Sequence, residues 1–231
     1  MDLRVSSLII ILLALSGCAT QLTEWKGTIE DVPPITIDDS NKSENDWIWK
    51  DSKNKWIYRD GEPALPEFAN WGFENQSFVF RFESPQHLNL HLGKPHSLYL
   101  KVYQLTDLKF FKDIIKTPAG NRELLSSGKI DPSIVAINEL TISPNDVETL
   151  VVDRFKETRF IAIVTGYFTM KSGENIRIFE VPAVKNRFAT ENFTFSDLNP
   201  FAEPAVTEAA RIKAWVDLGV TKISRLRMIA Q

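Results

Sequence analysis

Apolar side chains that recur at every second residue constrain this chain more than any other feature. Phe78, Phe80 and Phe82 alternate with Val79, Arg81 and Glu83, and Leu98, Leu100 and Val102 alternate with Tyr99, Lys101 and Tyr103. Successive side chains of a strand point to opposite faces, so each run turns one apolar face towards a core. The segment His96–Leu105 is the best candidate for a central strand. Short runs at 139–142, 147–152, 159–168 and 176–181 continue the pattern, separated by turn sequences such as Ser143-Pro144-Asn145-Asp146 and Lys171-Ser172-Gly173-Glu174-Asn175. The run Arg159–Phe168 is apolar on both faces, as a strand covered on both sides must be. Short strands at this spacing predict a mainly β chain folded as an antiparallel two-sheet sandwich.

Helical spacing occurs in few places. Leu108, Phe111, Ile114 and Ile115 predict a short helix after the central strand, and Arg122–Ser126 predicts a further helical turn beyond a break at Thr117-Pro118-Ala119-Gly120. Near the end of the chain, Ala205, Ala209, Ile212, Trp215 and Val216 form an apolar stripe at helical spacing, with Pro204 at its start and Gly219 at its end. This predicts a C-terminal helix, followed by a strand over 221–229 in which Arg225 and Arg227 share a face. Upstream, Trp47-Ile48-Trp49-Lys50 and Lys55-Trp56-Ile57-Tyr58 flank a four-residue turn and predict an aromatic hairpin. Its rings either pack on the sandwich or form a surface for sugars or a protein; the sequence leaves both open.

The N-terminus carries an unbroken apolar run, Leu8–Leu15, which is too short to cross a bilayer but has the length of a signal-peptide core. It is followed by Leu15-Ser16-Gly17-Cys18, which resembles the bacterial lipobox. Cys18 is the only cysteine of the chain, so it has no internal disulfide partner, and acylation gives it a role. Residue 19 is Ala rather than Asp, which by the sorting rule attached to the lipobox directs such a protein to the outer membrane. The 28 residues from Ala19 to Asp46 hold seven acidic side chains against two lysines, together with Pro33-Pro34. They read as a tether, although Ile35-Thr36-Ile37 could lie along the domain as an edge strand. The expected organisation is a signal peptide over 1–17, a lipidated cysteine and acidic tether over 18–46, an aromatic hairpin extension over 47–76, and a β-sandwich domain with C-terminal helix and strand over 77–231.

Several functional classes find no support. The net charge of −3 provides no basic stripe for nucleic acid. No nucleophile elbow, glycine-rich phosphate loop or free cysteine nucleophile is present, so no catalytic residue is assigned and the chain reads as no enzyme. All three histidines, His87, His91 and His96, fall in or beside one loop. The i, i+4 pair His87 and His91 lacks the glutamate of the zinc-protease pattern and is bracketed by Pro85 and Pro95, so no metal or cofactor is expected beyond the covalent lipid on Cys18.

The order of features carries a further reading. Lipobox, tether and phenylalanine strand are followed by Leu88-Asn89, Gly93-Lys94-Pro95, Leu98-Tyr99-Leu100-Lys101-Val102-Tyr103-Gln104-Leu105, Phe110-Phe111, Ile142-Ser143-Pro144-Asn145 and Arg159-Phe160-Ile161-Ala162-Ile163-Val164. This succession resembles the TssJ (SciN-type) outer-membrane lipoproteins of the type VI secretion system, over residues 77–181 and the lipobox. The resemblance implies a transthyretin-like sandwich with added short helices. It implies a scaffold on the periplasmic face of the outer membrane that binds the periplasmic domain of the inner-membrane protein TssM. In that family the loop between the first two strands makes the contact; here it is Glu83–Pro95, and Gln86, His87, Leu88, Asn89 and Leu90 are the implied contact residues. The aromatic segment and the chain beyond Phe193 extend past what the resemblance covers. The alternative is an envelope lipoprotein that binds glycan or cell wall through the aromatic hairpin.

Overall fold

Two sheets share the apolar faces that the alternating runs create. The computed structural model describes residues 47–58, 71–170, 173–185 and 207–230. The strands are β1 (Trp47–Lys50), β2 (Lys55–Tyr58), β3 (Glu74–Glu83), β4 (Leu98–Leu105), β5 (Ile134–Ile142), β6 (Val147–Arg154), β7 (Phe160–Thr165), β8 (Ile176–Glu180), β9 (Ala183–Lys185), β10 (Thr207–Ala209), β11 (Ile212–Leu218) and β12 (Ile223–Ala230). Helices α1 (Lys109–Ile114) and α2 (Pro118–Ser126) lie between β4 and β5. One sheet has the order β2-β1-β12-β11-β3-β6, the other β5-β4-β7-β8, and β9 pairs with β10. Every pairing is antiparallel except β3 with β11.

The main core lies between the sheets. Phe78, Phe80 and Phe82 of β3 and Ile212, Ala214 and Val216 of β11 meet Leu98, Leu100 and Val102 of β4 and Ile161 and Ile163 of β7. A second core forms on the other face of the four-stranded sheet, where Tyr103, Ala162 and Val164 pack on Phe111 of α1 and Leu124 of α2. The four-stranded sheet is thus covered twice, by a sheet and by helices, and β4 and β7 occupy its interior as their two-faced apolar pattern demands.

Two expectations are corrected. Thr117-Pro118-Ala119-Gly120 does not break the chain: the Thr117 hydroxyl accepts from the Gly120 N–H at 3.0 Å and Pro118 occupies the first turn, so the motif starts α2. The C-terminal helix is absent from the described residues, because Ile212–Leu218 is strand β11. Ile212, Ala214, Val216 and Leu218 also repeat at period two, and that period prevails where the stretch is inserted between β3 and β12.

The register defines two ends of the large sheet. Trp47 faces Ala230, Ala230 faces Ile212, Ile212 faces Phe78 and Phe78 faces Val152. The chain therefore joins the sheet, at Trp47, at the end where β3 begins and β6 finishes. That end is clamped by Arg154, only 3% exposed. Its Nη2 lies 3.0 Å from Glu74 Oε2, its Nε donates to the Gly72 carbonyl at 3.2 Å, and its Nη1 donates to the Ala209 carbonyl at 2.6 Å. Burial pulls the Arg154 pKa down, and the Glu74 carboxylate opposes that. Glu74 also binds Arg211.

Glu74 keeps Arg211 when Arg154 is removed, but the Gly72 and Ala209 carbonyls lose their donor, and a buried acceptor left unpaired costs about 1–3 kcal/mol. Arg154→Ala should lower the urea unfolding free energy by about that amount. An unchanged midpoint would show that the clamp does not hold this end.

Candidate functional site

At the opposite end of the sheet, the β3–β4 loop is stitched to three neighbouring turns. The Ser84 hydroxyl donates to the Ser143 carbonyl at 2.7 Å and accepts from the Asp146 N–H at 2.9 Å. The Asn145 N–H donates to the Pro85 carbonyl at 3.1 Å, and the Leu90 N–H to the Val220 carbonyl, in the β11–β12 turn, at 3.2 Å. Asn89 supplies the third tie: its Nδ2 donates to the Ser97 carbonyl at 3.1 Å and its Oδ1 accepts from the Phe168 N–H at 2.9 Å. Asn89 sits at φ 48°, in the left-handed region that asparagine tolerates better than most residues.

The loop ends in a two-residue turn. His91 and Lys94 exchange both main-chain hydrogen bonds, at 2.9 and 3.0 Å, around Leu92 and Gly93. Both central residues have positive φ, 49° and 75°, as a type I′ hairpin turn requires. Glycine fits there; leucine does not, and its Cβ makes the left-handed conformation unfavourable by about 1–2 kcal/mol. Leu92 is 88% exposed, so burial does not offset the strain. Next to it, the ring of Phe168 is 54% exposed and stacks on His91 at 4.4 Å and 19°, with His96 edge-on at 5.0 Å. Leu90 and Val220, also exposed, complete an apolar rim drawn from three loops.

The turn behind Val220 is fixed just as closely. The Tyr167 hydroxyl lies 3.1 Å from the Gly219 carbonyl and 3.0 Å from the Lys222 carbonyl, and burial pushes its pKa up. A Cβ at Gly219 would stand 2.2 Å from Ser224 Oγ and 2.8 Å from the Lys222 carbonyl, so the turn closes only with glycine.

Of the implied contact residues, Gln86, His87 and Leu90 are at the surface. Leu88 and Asn89 are not. Leu88 is fully buried in the main core, and Asn89 is a buried brace, so neither can meet a partner. In an isolated loop sequence a leucine that plugs a core looks the same as one that is offered to solvent. Leu92, Phe168 and Val220 were missed: Tyr167 and Phe168 read as the end of a strand that in fact stops at Thr165, and Val220 falls between the predicted helix, ended by Gly219, and the predicted strand 221–229. The Leu92-Gly93 dipeptide between polar residues was the one local signal, since a tight turn there needs positive φ. Cys18 lies outside the described residues.

The aromatic hairpin forms the β2 edge of the large sheet, and its indoles reach across to the β8 edge of the smaller one. Trp47 Nε1 donates to the Ala183 carbonyl at 2.9 Å and Trp56 Nε1 to the Glu180 carbonyl at 2.7 Å. Trp49 meets Trp56 and Phe179 edge to face, at 5.4 and 5.9 Å. The indole N–H groups of Trp47 and Trp56 are thus engaged by main-chain carbonyls, and the rings close the sandwich beside β8.

The family model described as type VI secretion lipoprotein (T6SS-SciN; VasD, EvfM, TssJ) matches residues 76–199. No curated protein matches the chain. Similar solved structures include the C-terminal domain of the type VI secretion protein TssM from EAEC, with 11% identity, 64% of this chain and 94% of that chain covered and a TM-score of 0.43. Lip of Serratia marcescens, a membrane-bound component of the type VI secretion system, has 16% identity, coverage of 62% and 92% and a TM-score of 0.40. The lipoprotein TssJ1 of Pseudomonas aeruginosa has 15% identity, coverage of 67% and 95% and a TM-score of 0.40.

The two leucines make opposite predictions. Leu88→Ala should destabilise the protein by about 2–5 kcal/mol through the cavity it leaves. Leu92→Asn should stabilise it by up to about 1 kcal/mol, because asparagine suits the left-handed turn. Chemical denaturation of both variants checks this, and equal effects would contradict the burial and backbone assignments.

Proposed function

Because the chain belongs to the type VI secretion lipoprotein family, we propose that it is a non-enzymatic scaffold of the secretion system's membrane complex. Acyl chains on Cys18 hold it on the periplasmic face of the outer membrane, and its β3–β4 loop grips the periplasmic domain of a TssM-type inner-membrane protein. One acyl chain binds a bilayer marginally, while several attach a protein durably, so the lipobox cysteine is a sufficient anchor.

The observation that carries this reading is Leu92, an exposed leucine in a strained backbone conformation at the tip of a braced loop. Strain that neither packing nor burial offsets is found where a side chain must be presented. An apolar knob that enters a partner's pocket, ringed by polar groups that exclude water, is the usual anatomy of a binding hot spot. Phe168 and Leu90 flank the knob, and Gln86, His87 and Lys94 supply the polar rim. The loop is already ordered by its ties to three turns, which lowers the entropic cost of binding. Trp47 joins the sheet at the far end, so a chain held through its N-terminus can direct the knob away from the membrane.

Cys18→Ala should move the protein from the membrane fraction to the soluble fraction and abolish secretion. Leu92→Asp should leave the unfolding midpoint within about 0.5 kcal/mol and cut co-purification of the TssM-type partner about tenfold or more. Normal recovery of the partner with Leu92→Asp would sink the loop assignment.

A further inference from the structure

The end of the sheet that receives the chain carries an exposed aromatic pair that the docking site does not use. Phe73, just before β3, and Phe155, just after β6, are 55% and 44% exposed. Their rings meet edge to face at 6.0 Å. Neither ring is placed by chance flexibility of its loop, because buried polar groups hold both backbones from below. The Phe155 N–H donates to Gln104 Oε1 at 2.9 Å, and that same oxygen accepts from the Thr158 hydroxyl at 2.9 Å. Gln104 is fully buried, and its Nε2 donates to the Asp153 carbonyl at 2.7 Å. On the other side, Arg154 binds the carbonyl of Gly72, next to Phe73.

The surroundings are aromatic and of mixed charge, since Lys156 and Arg159 stand among Asp153, Glu157 and Glu74. Lys156 follows Phe155 directly, and the Arg159 guanidinium lies over the Trp71 ring at 5.4 Å. The Glu157 N–H donates to the Trp71 carbonyl at 2.8 Å, which joins the two segments. Aromatic rings beside lysine and arginine are the combination that settles at the boundary between headgroups and acyl chains.

We infer that this end is a membrane-facing surface, in which Phe73 and Phe155 seat among phospholipid headgroups with Arg159 on a phosphate. The inference rests on the lipid anchor proposed at Cys18, which confines the body to the bilayer and precedes Trp47, where the chain joins the sheet on this side. Such confinement makes even a weak contact effective, because the second contact of a tethered body is intramolecular. β3 has ten residues, which separates the two ends by roughly 30 Å and leaves the Leu92 knob facing away from the membrane.

The test uses the full chain, purified from membranes, with acylation of Cys18 read by mass. A fluorophore is placed through Lys156→Cys, or through Lys94→Cys at the other end, in vesicles of phosphatidylethanolamine and phosphatidylglycerol that carry a headgroup nitroxide quencher. Quenching is expected at 156 and not at 94. Phe73→Asp with Phe155→Asp should reduce the quenching at 156 about tenfold, with the unfolding midpoint and the acyl attachment unchanged. If the mass shows Cys18 unmodified, the anchor fails on its own account and the same reporter is read with added vesicles in a Cys18→Ser background, where position 156 is the single thiol: quenching at 156 then still supports the surface. No quenching at 156, equal quenching at both ends, insensitivity to the paired substitution, or shielding of 156 only when a partner protein is added would each overturn it.

Discussion

The inner strands of the four-stranded sheet, β4 and β7, have almost no surface left for water, and the rest of the structure follows from that constraint. One side of β4 and β7 packs on the large sheet and the other on the helices, so any polar group in these strands must find a partner inside. The solutions are specific. Lys101, 2% exposed, reaches the Ser127 carbonyl at 2.7 Å and Glu139 at 3.0 Å. The buried Tyr103 hydroxyl donates to the Leu124 carbonyl at the end of α2. Gln104 braces the β6–β7 turn through three hydrogen bonds. Each of these three side chains fixes the position of a neighbouring element, and the sandwich gains uniqueness as well as compactness.

Exposed apolar side chains also stand at the two ends of the strands. The two ends are built alike: exposed apolar side chains stand on a main-chain frame that buried polar groups hold rigid. At one end Asn89 and Tyr167 provide the frame and Leu92 and Phe168 are presented; at the other Arg154 and Gln104 provide it and Phe73 and Phe155 are presented. Rigid presentation leaves little ordering entropy to be lost on any binding event at either end.

The hairpin and the C-terminal strands extend the family-matched segment into a larger sheet. β11 enters parallel to β3 and β12 pairs with β1, so the chain on both sides of the matched residues completes one layer. This places Val220 beside the β3–β4 loop and the indoles of Trp47 and Trp56 on the edge beside β8. Such additions shape the docking end and protect an edge that would otherwise expose unpaired backbone groups.

The alternation of Phe78–Phe82 and Leu98–Val102, the doubly apolar run of β7 and the paired tryptophan segments were legible because a strand's two faces are written at a period of two. Two matters were decided by the tertiary structure. Ile212–Leu218 satisfies both the helical and the strand period, and only the vacant position between β3 and β12 selects the strand. Leu88 and Leu92 stand four residues apart in one polar loop, yet one plugs the core and the other faces solvent, because the ties to Ser143, Phe168 and Val220 decide which way the loop turns. Local periodicity is a property of neighbours along the chain, whereas exposure depends on residues 60 to 130 positions away, and only folding brings those together.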